Sequence, residues 1–225
     1  MVELVERDGS KYVRVNPKDV DFSGAEKAQK LTDVYAVQVK DGTREVITRL
    51  GEHVETVNTA REGDWIVFNI GNVKPKSIPG YADMSPDEQI LARAERAEAY
   101  VPPKGSFEAS NTIVSNVGEG FLAKASSDPR IAVTVPFDFV IAAPWGEDQF
   151  VKAGGVIINN GPTDTYGIEK GAMENTYGLP GASKPFAETH AAQILARTPL
   201  VPEVKFNPEV TADYQQAAAS IRVKS

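Results

Sequence analysis

The chain contains no cysteine. That removes disulfides, thiolate metal sites and cysteine nucleophiles together. Histidine is scarce too: His53 and His190 are the only two. Neither stands in a His-x-x-x-His or Glu-x-x-His spacing, so no metal site is expected. No apolar run approaches the roughly eighteen residues that span a bilayer as a helix, so no membrane association is expected. Basic charge is in deficit, with 24 Lys and Arg against 31 Asp and Glu and a formal charge of −7. A surface of that sign repels phosphate backbones, which argues against broad nucleic-acid binding. The opening stretch, Met1 to Val13, has no apolar segment behind a positive one and does not read as a signal peptide. A cytoplasmic location is the expectation, in the host if the chain is phage-encoded.

What is present suits a globular protein of short strands. Hydrophobic residues make up 41% and charged residues 24%, enough to fill a core and wet a surface. The 18 Gly and 15 Pro imply many turns. Apolar residues alternate in KYVRV (Lys11 to Val15), VYAVQV (Val34 to Val39), REVITRL (Arg44 to Leu50) and HVETV (His53 to Val57), the pattern of half-buried strands. Asp41-Gly42 supplies the positive φ of a tight hairpin, and a meander is the simplest topology. A short helical piece is expected around Ala25 to Leu31. Ser85-Pro86-Asp87-Glu88 is a strong helix start, with Ser as cap, Pro first and Glu closing a capping box; that helix should run to about Ala97. Residues 112–160 return to β character, a helix is expected over 184–197, and a helical turn or two (Pro208 to Ala219) and a strand (Ile221 to Lys224) close the chain. The expected class is α+β with β dominant: two small antiparallel sheets or partial barrels with peripheral helices. The expected division is 1–111, with a helical insertion at about 71–99, and 112–225, with C-terminal helices.

Two segments look alike. Gly63-Asp64-Trp65-Ile66-Val67-Phe68-Asn69 and Gly154-Gly155-Val156-Ile157-Ile158-Asn159-Asn160 are each a glycine turn, an apolar strand and a closing Asn. Downstream, Tyr100, Lys104, Gly105 and Glu108 recur at identical spacing as Tyr166, Lys170, Gly171 and Glu174. The expectation is an internal duplication, with the capped helix inserted in the first copy only.

The run Thr56 to Val67 resembles the core motif of a small domain of unknown function found in phage and bacterial proteins, whose pattern is Pro-Gly-Asp, an aromatic and two aliphatics, then a Tyr-Val-Val stretch and a short Phe-containing helix. Glu62 stands where that family has Pro, and Tyr100-Val101 and Phe107 supply the later part. The second copy has Gly155 and Val156 in place of Asp and the aromatic, yet keeps Tyr166, Glu169 and a closing Tyr177. The resemblance covers about half the chain and implies phage or prophage ancestry rather than a reaction.

Trp65 follows the Gly-Asp turn. Trp145 lies in Pro-Trp-Gly-Glu-Asp, where an indole beside Glu147 and Asp148 would suit a sugar, a base or a cation. Asp64, Trp65, Trp145, Glu147, Asp148 and Tyr166 are therefore the ligand-binding candidates. Core packing for the tryptophans and turn capping for Asp64 are the competing readings. No cofactor is expected: Gly118-Glu119-Gly120 and Gly154-Gly155 match neither a dinucleotide fingerprint nor a phosphate loop, and Ser126 and Ser127 lack a nucleophile-elbow context. No catalytic residues can be named. The leading expectation is a non-enzymatic accessory or binding protein of phage or prophage origin, presenting a cleft or face between two repeated units to a protein partner or small molecule, with self-association open. The alternatives are a metal-independent hydrolase or transferase acting on a nucleotide or sugar, and a virion structural component.

Overall fold

The computed structural model describes residues 2–50, 53–102, 104–126, 128–142, 148–161 and 164–222, with the backbone alone for 48–50, 53–56 and 222. Contacts divide the chain into two compact units. Met1–Gln29 joins Asp128–Ser225 in the first, and Lys30–Ser127 forms the second as one continuous insertion. The boundary expected between residues 111 and 112 falls inside the second unit.

The N-terminal part carries β1 (Leu4–Arg7), β2 (Ser10–Val15), β3 (Val20–Asp21) and β4 (Glu26–Lys30). The inserted unit carries β5 (Asp33–Gln38), β6 (Thr43–Leu50), β7 (His53–Arg61), β8 (Trp65–Phe68), α1 (Pro86–Ala94), β9 (Ala99–Tyr100), α2 (Ser106–Ser110), β10 (Asn111–Val117) and β11 (Gly120–Ala125). The chain returns with β12 (Arg130–Thr134), β13 (Phe139–Ala142), β14 (Asp148–Val151), β15 (Val156–Asn159), β16 (Thr165–Ile168), α3 (Lys170–Thr176) and β17 (Tyr177–Gly178). It ends with α4 (Phe186–Thr189), α5 (Ala191–Leu195), β18 (Lys205–Phe206) and α6 (Pro208–Arg222). The class is α+β and β-dominant, built from small sheets with a few helices.

Several local expectations are corrected. Residues 26–30 are a strand, not a helix, because their backbone is claimed by β12 through Ala28↔Arg130 and Lys27↔Ile131. The meander does not form at Asp41-Gly42: β5 lies between β8 and β11, and β6 pairs with β7. The expected 184–197 helix is broken at His190 (φ −124°, ψ 28°) into α4 and α5. Ile221 and Arg222 belong to α6, which runs on through Arg222, rather than opening a strand; Val223 and Lys224 lie outside the described residues. The α1 capping box forms as expected, with the Ser85 N–H donating to Glu88 Oε2 at 2.7 Å, though the helix stops at Ala94.

The inserted unit has a five-stranded sheet in the order β10-β11-β5-β8-β9. Its core joins Val34, Ala36, Trp65, Val67, Phe107 and Ala123. The first unit has a five-stranded sheet in the order β16-β15-β12-β4-β17 and a four-stranded sheet, β1-β2-β13-β14. Ala28, Ala132, Ile158, Met173 and Phe186 fill one of its cores, and Val13, Phe139, Ile141, Ile157 and Tyr214 another.

The two five-stranded sheets match in register. Ala36 faces Val67 and Val37 faces Ile66, as Ala132 faces Ile158 and Val133 faces Ile157. Val39 exchanges backbone hydrogen bonds with Asp64 and Gly63, and Val135 exchanges the same pair with Gly155 and Gly154. Val67 pairs with Tyr100 where Ile158 pairs with Tyr166. Gly63 (φ 86°) and Gly154 (φ 88°) adopt the same left-handed conformation, which a side chain disfavours.

Candidate functional site

In the inserted unit, Asp64 and Trp65 are structural. Asp64 Oδ2 accepts from the Arg61 N–H at 2.8 Å and closes the turn into β8. Trp65 is only 8% exposed, stacks on Phe107 at 4.3 Å between ring centres and meets Phe121 edge-on at 5.6 Å. Its Nε1–H donates to Glu108 Oε1 at 2.6 Å. The indole thus joins β8 to α2 and shows no face to solvent.

The matched positions of the first unit explain why the motif changes there. A side chain at Gly155, which stands where Asp64 does, would bring Cβ to 2.2 Å from Val151 Cγ1. Val156 replaces Trp65, so Glu174, the counterpart of Glu108, has no indole to receive. Its buried Oε1 makes no hydrogen bond, and Lys170 Nζ lies 3.8 Å away.

Asp148 starts β14 and grips Arg14 of β2 with both oxygens, at 2.8 Å to Nη1 and 2.8 Å to Nη2. Arg14 Nε donates to Glu3 Oε2 at 2.8 Å. This bidentate geometry is the strong form of a charged pair. The Arg14 bonds hold Asp148 below the usual carboxylate range, and the Asp148 bonds raise Arg14. Beside this pair, Tyr214 donates to Asp19 Oδ2 at 2.9 Å and accepts from the Asn16 N–H at 3.1 Å. Burial pushes the Tyr214 phenol up to about 12, against the Asn16 donor, with Asp19 adding to the rise. A shallow concavity of about 240 Å³ between Arg14, Asn16 and Tyr214 is smaller than the few hundred Å³ of a typical small-molecule site.

Tyr166 lies elsewhere in the same unit. Arg130 Nη1 donates to the Tyr166 hydroxyl at 2.8 Å and to the Tyr177 hydroxyl at 3.0 Å, tying β12, β16 and β17 together. Burial drives the Tyr166 phenol well above its ordinary value, Tyr177 adds to that, and the Arg130 charge opposes it. Two further carboxylates clamp the turn before β15. Asp138 binds Lys152 Nζ at 2.8 Å and the Ala153 N–H at 2.8 Å, and Glu169 accepts from the Lys152 N–H at 3.2 Å. Burial raises the Glu169 carboxyl, against the Lys152 N–H and its charge.

Trp145 and Glu147 lie outside the described residues. The remaining candidates do not gather into one constellation within a unit: Asp64 and Trp65 belong to the inserted unit, while Asp148 and Tyr166 sit in separate clusters of the first. Among the described residues, no group of three or more His, Asp or Glu is arranged to hold a metal. His190 bonds Thr189 Oγ1 at 2.8 Å and meets the Phe186 ring edge-on, a structural role. The side chain of His53 lies outside the described set.

No family model, curated protein or solved structure matches this chain.

What the inserted unit does present is an apolar sheet edge. β10 stands at one end of the strand order, and Thr112 to Asn116 are exposed in succession. Ile113 is 47% and Val114 52% exposed. The register with β11 slips between Ile113 and Ser115, so Val114 is an extra residue and both branched side chains reach water. Sequence reading missed this edge, although the Thr-Ile-Val-Ser-Asn-Val run was visible, because a bulge leaves no mark in composition. It missed Arg14 and Arg130 for the same kind of reason: their partners are remote in the chain.

Proposed function

We propose that the chain is a non-enzymatic accessory or binding protein of phage or prophage origin, which engages a protein partner by strand addition along β10. The exposed Ile113 and Val114 on an end strand carry this reading. An edge strand offers unpaired backbone groups for affinity and alternate side chains for specificity. The phage origin rests on the Gly63-Asp64-Trp65-Ile66-Val67 resemblance. The acidic charge of the chain favours a neutral or basic partner. Two of the candidate carboxylates support the reading too, since Asp64 closes a turn and Asp148 grips an arginine.

The test uses the intact chain and a library of extended ten-residue peptides. Selected binders should slow amide exchange across residues 111–117 and lose affinity for Val114→Pro, which removes one backbone donor. Protection confined to other strands, or binders indifferent to Val114→Pro, would show that β10 is not the docking edge.

A further inference from the structure

The matched registers extend one strand further than the sequence likeness does. In the inserted unit β11 lies against β5, with Phe121 facing Ala36, Leu122 facing Tyr35 and Ala123 facing Val34. In the first unit β4 lies against β12, with Glu26 facing Ala132, Lys27 facing Ile131 and Ala28 facing Arg130. Position for position, β4 stands to β12 as β11 stands to β5. Ala28 and Ala123 match and both are 0% exposed, as do Ala132 and Ala36. The remaining parts follow in the same order: a hairpin (β6-β7, then β13-β14), a central strand (β8, then β15), an outer strand (β9, then β16), a short helix (α2, then α3) and the strand at the far edge (β10, then β17). Phe107 in α2 and Met173 in α3 are buried at the same helical position. Both helices also close with a hydroxyl turned back one turn, Ser110 to the Ser106 carbonyl and Thr176 to the Ala172 carbonyl.

Yet β4 precedes β5 in the chain and β11 precedes β12. Each leading strand therefore serves the sheet of the other repeat. We infer that the chain is a tandem pair of one repeat, 26–117 and 120–178, whose leading strands have traded places, and that each vacated slot accepts the same strand from a second copy of the chain.

The connections explain why the strands do not fold back locally. Only Leu31 and Thr32 separate β4 from β5. A two-residue hairpin needs positive φ, which Asn-Gly supplies and a branched Thr resists. Residues 126–129 join β11 to β12 and end in Pro129, which lacks an N–H and holds Asp128 extended. Short or stiff hinges of this kind favour exchange of an identical element over local closure. β4 seats by main-chain pairing and the buried Ala28, and β11 by main-chain pairing, Ala123 and the packed Phe121 and Leu122; a second copy's strand carries the same groups, so the slot recognises the strand and not the chain it came from. None of this depends on what β10 binds.

The absence of native cysteine makes a clean assay. Lys27 and Ile131 are register partners, exposed and half-buried, close enough for a disulfide across antiparallel strands. Full-length Lys27→Cys and Ile131→Cys chains are unfolded together, refolded at rising concentration and oxidised. A covalent heterodimer linked 27–131 should appear and grow with concentration, and the same mixture never unfolded should give none. A second full-length pair carries Asn-Gly in place of Leu31-Thr32; its heterodimer yield should fall several-fold, because β4 can then close on β5. Absence of the linked dimer at every concentration, while the Lys27→Cys, Ile131→Cys double variant closes its bond within one chain, would overturn exchange between copies. An Asn-Gly hinge that leaves the yield unchanged would overturn the traded-strand origin.

Discussion

Trp65 separates a core role from a ligand-facing one, and its replacement can be worked out in advance. The indole is 8% exposed, stacked on Phe107 and edge-on to Phe121. Truncating a buried Trp to Ala costs about 3–5 kcal/mol, and that figure includes an aromatic pair worth about 0.5–1.5 kcal/mol. The hydrogen bond to Glu108 adds little, because Glu108 is exposed and water replaces the indole as its donor. Trp65→Phe keeps the stack and should cost about 1 kcal/mol, well below Trp65→Ala. A small domain is stable by only about 5–15 kcal/mol, so Trp65→Ala should remove a large part of what holds the inserted unit. Urea unfolding followed by far-ultraviolet circular dichroism reads the loss without relying on the removed fluorophore. Amide exchange should speed up in β8, α2 and β11 and stay unchanged in β15 and α3. A loss below about 1 kcal/mol for Trp65→Ala, with weakened binding of an aromatic-seeking ligand, would refute the core assignment.

Three further outcomes follow from the same contacts. Asp148, held low by Arg14, contributes stability above the ordinary carboxylate range that is lost as pH falls through its folded value; Asp148→Asn should flatten the acid limb of a stability-against-pH curve, and an unaltered limb would dismiss the pair as a stabiliser. Tyr214, raised to about 12 by burial, contributes stability present below its ordinary value of 10.0 and lost as pH climbs towards 12; Tyr214→Phe should remove that alkaline loss and cost about 1 kcal/mol at neutral pH from the Asn16 and Asp19 bonds, read by denaturation at paired pH values. Ala28→Leu and Ala123→Leu should each destabilise by about 1–3 kcal/mol through overpacking, with faster exchange in the first unit for one and in the inserted unit for the other; tolerance of either would mean that its slot is not tight.

Much of the local structure was legible because it depends on neighbours in the chain. The α1 cap needs only Ser85, Pro86 and Glu88 within one turn. β2, β5 and β8 announce themselves by alternation and branched side chains, and the glycine turns at Gly63 and Gly154 by a conformation that other residues resist. Trp65 and Asp64 stand out in the sequence as ligand-binding candidates, but whether a Trp beside a turn packs or binds depends on Phe107 and Phe121, which only folding brings against it. Asp148 was visible as a turn carboxylate; that it would grip Arg14, far away in the chain, was not.

The sequence by itself determined the β-rich class, the glycine turns at Gly63 and Gly154 and the capped start of the first helix, because each is set by residues within a few positions of one another. Tertiary structure alone decided where each strand pairs. Glu26–Lys30 reads as a helix in isolation and becomes a strand because its backbone pairs with β12, about a hundred residues later in the chain. Backbone hydrogen bonds carry no side-chain signature, so the traded strands, the division at residues 29 and 127 and the exposed β10 edge could be read only from the folded chain.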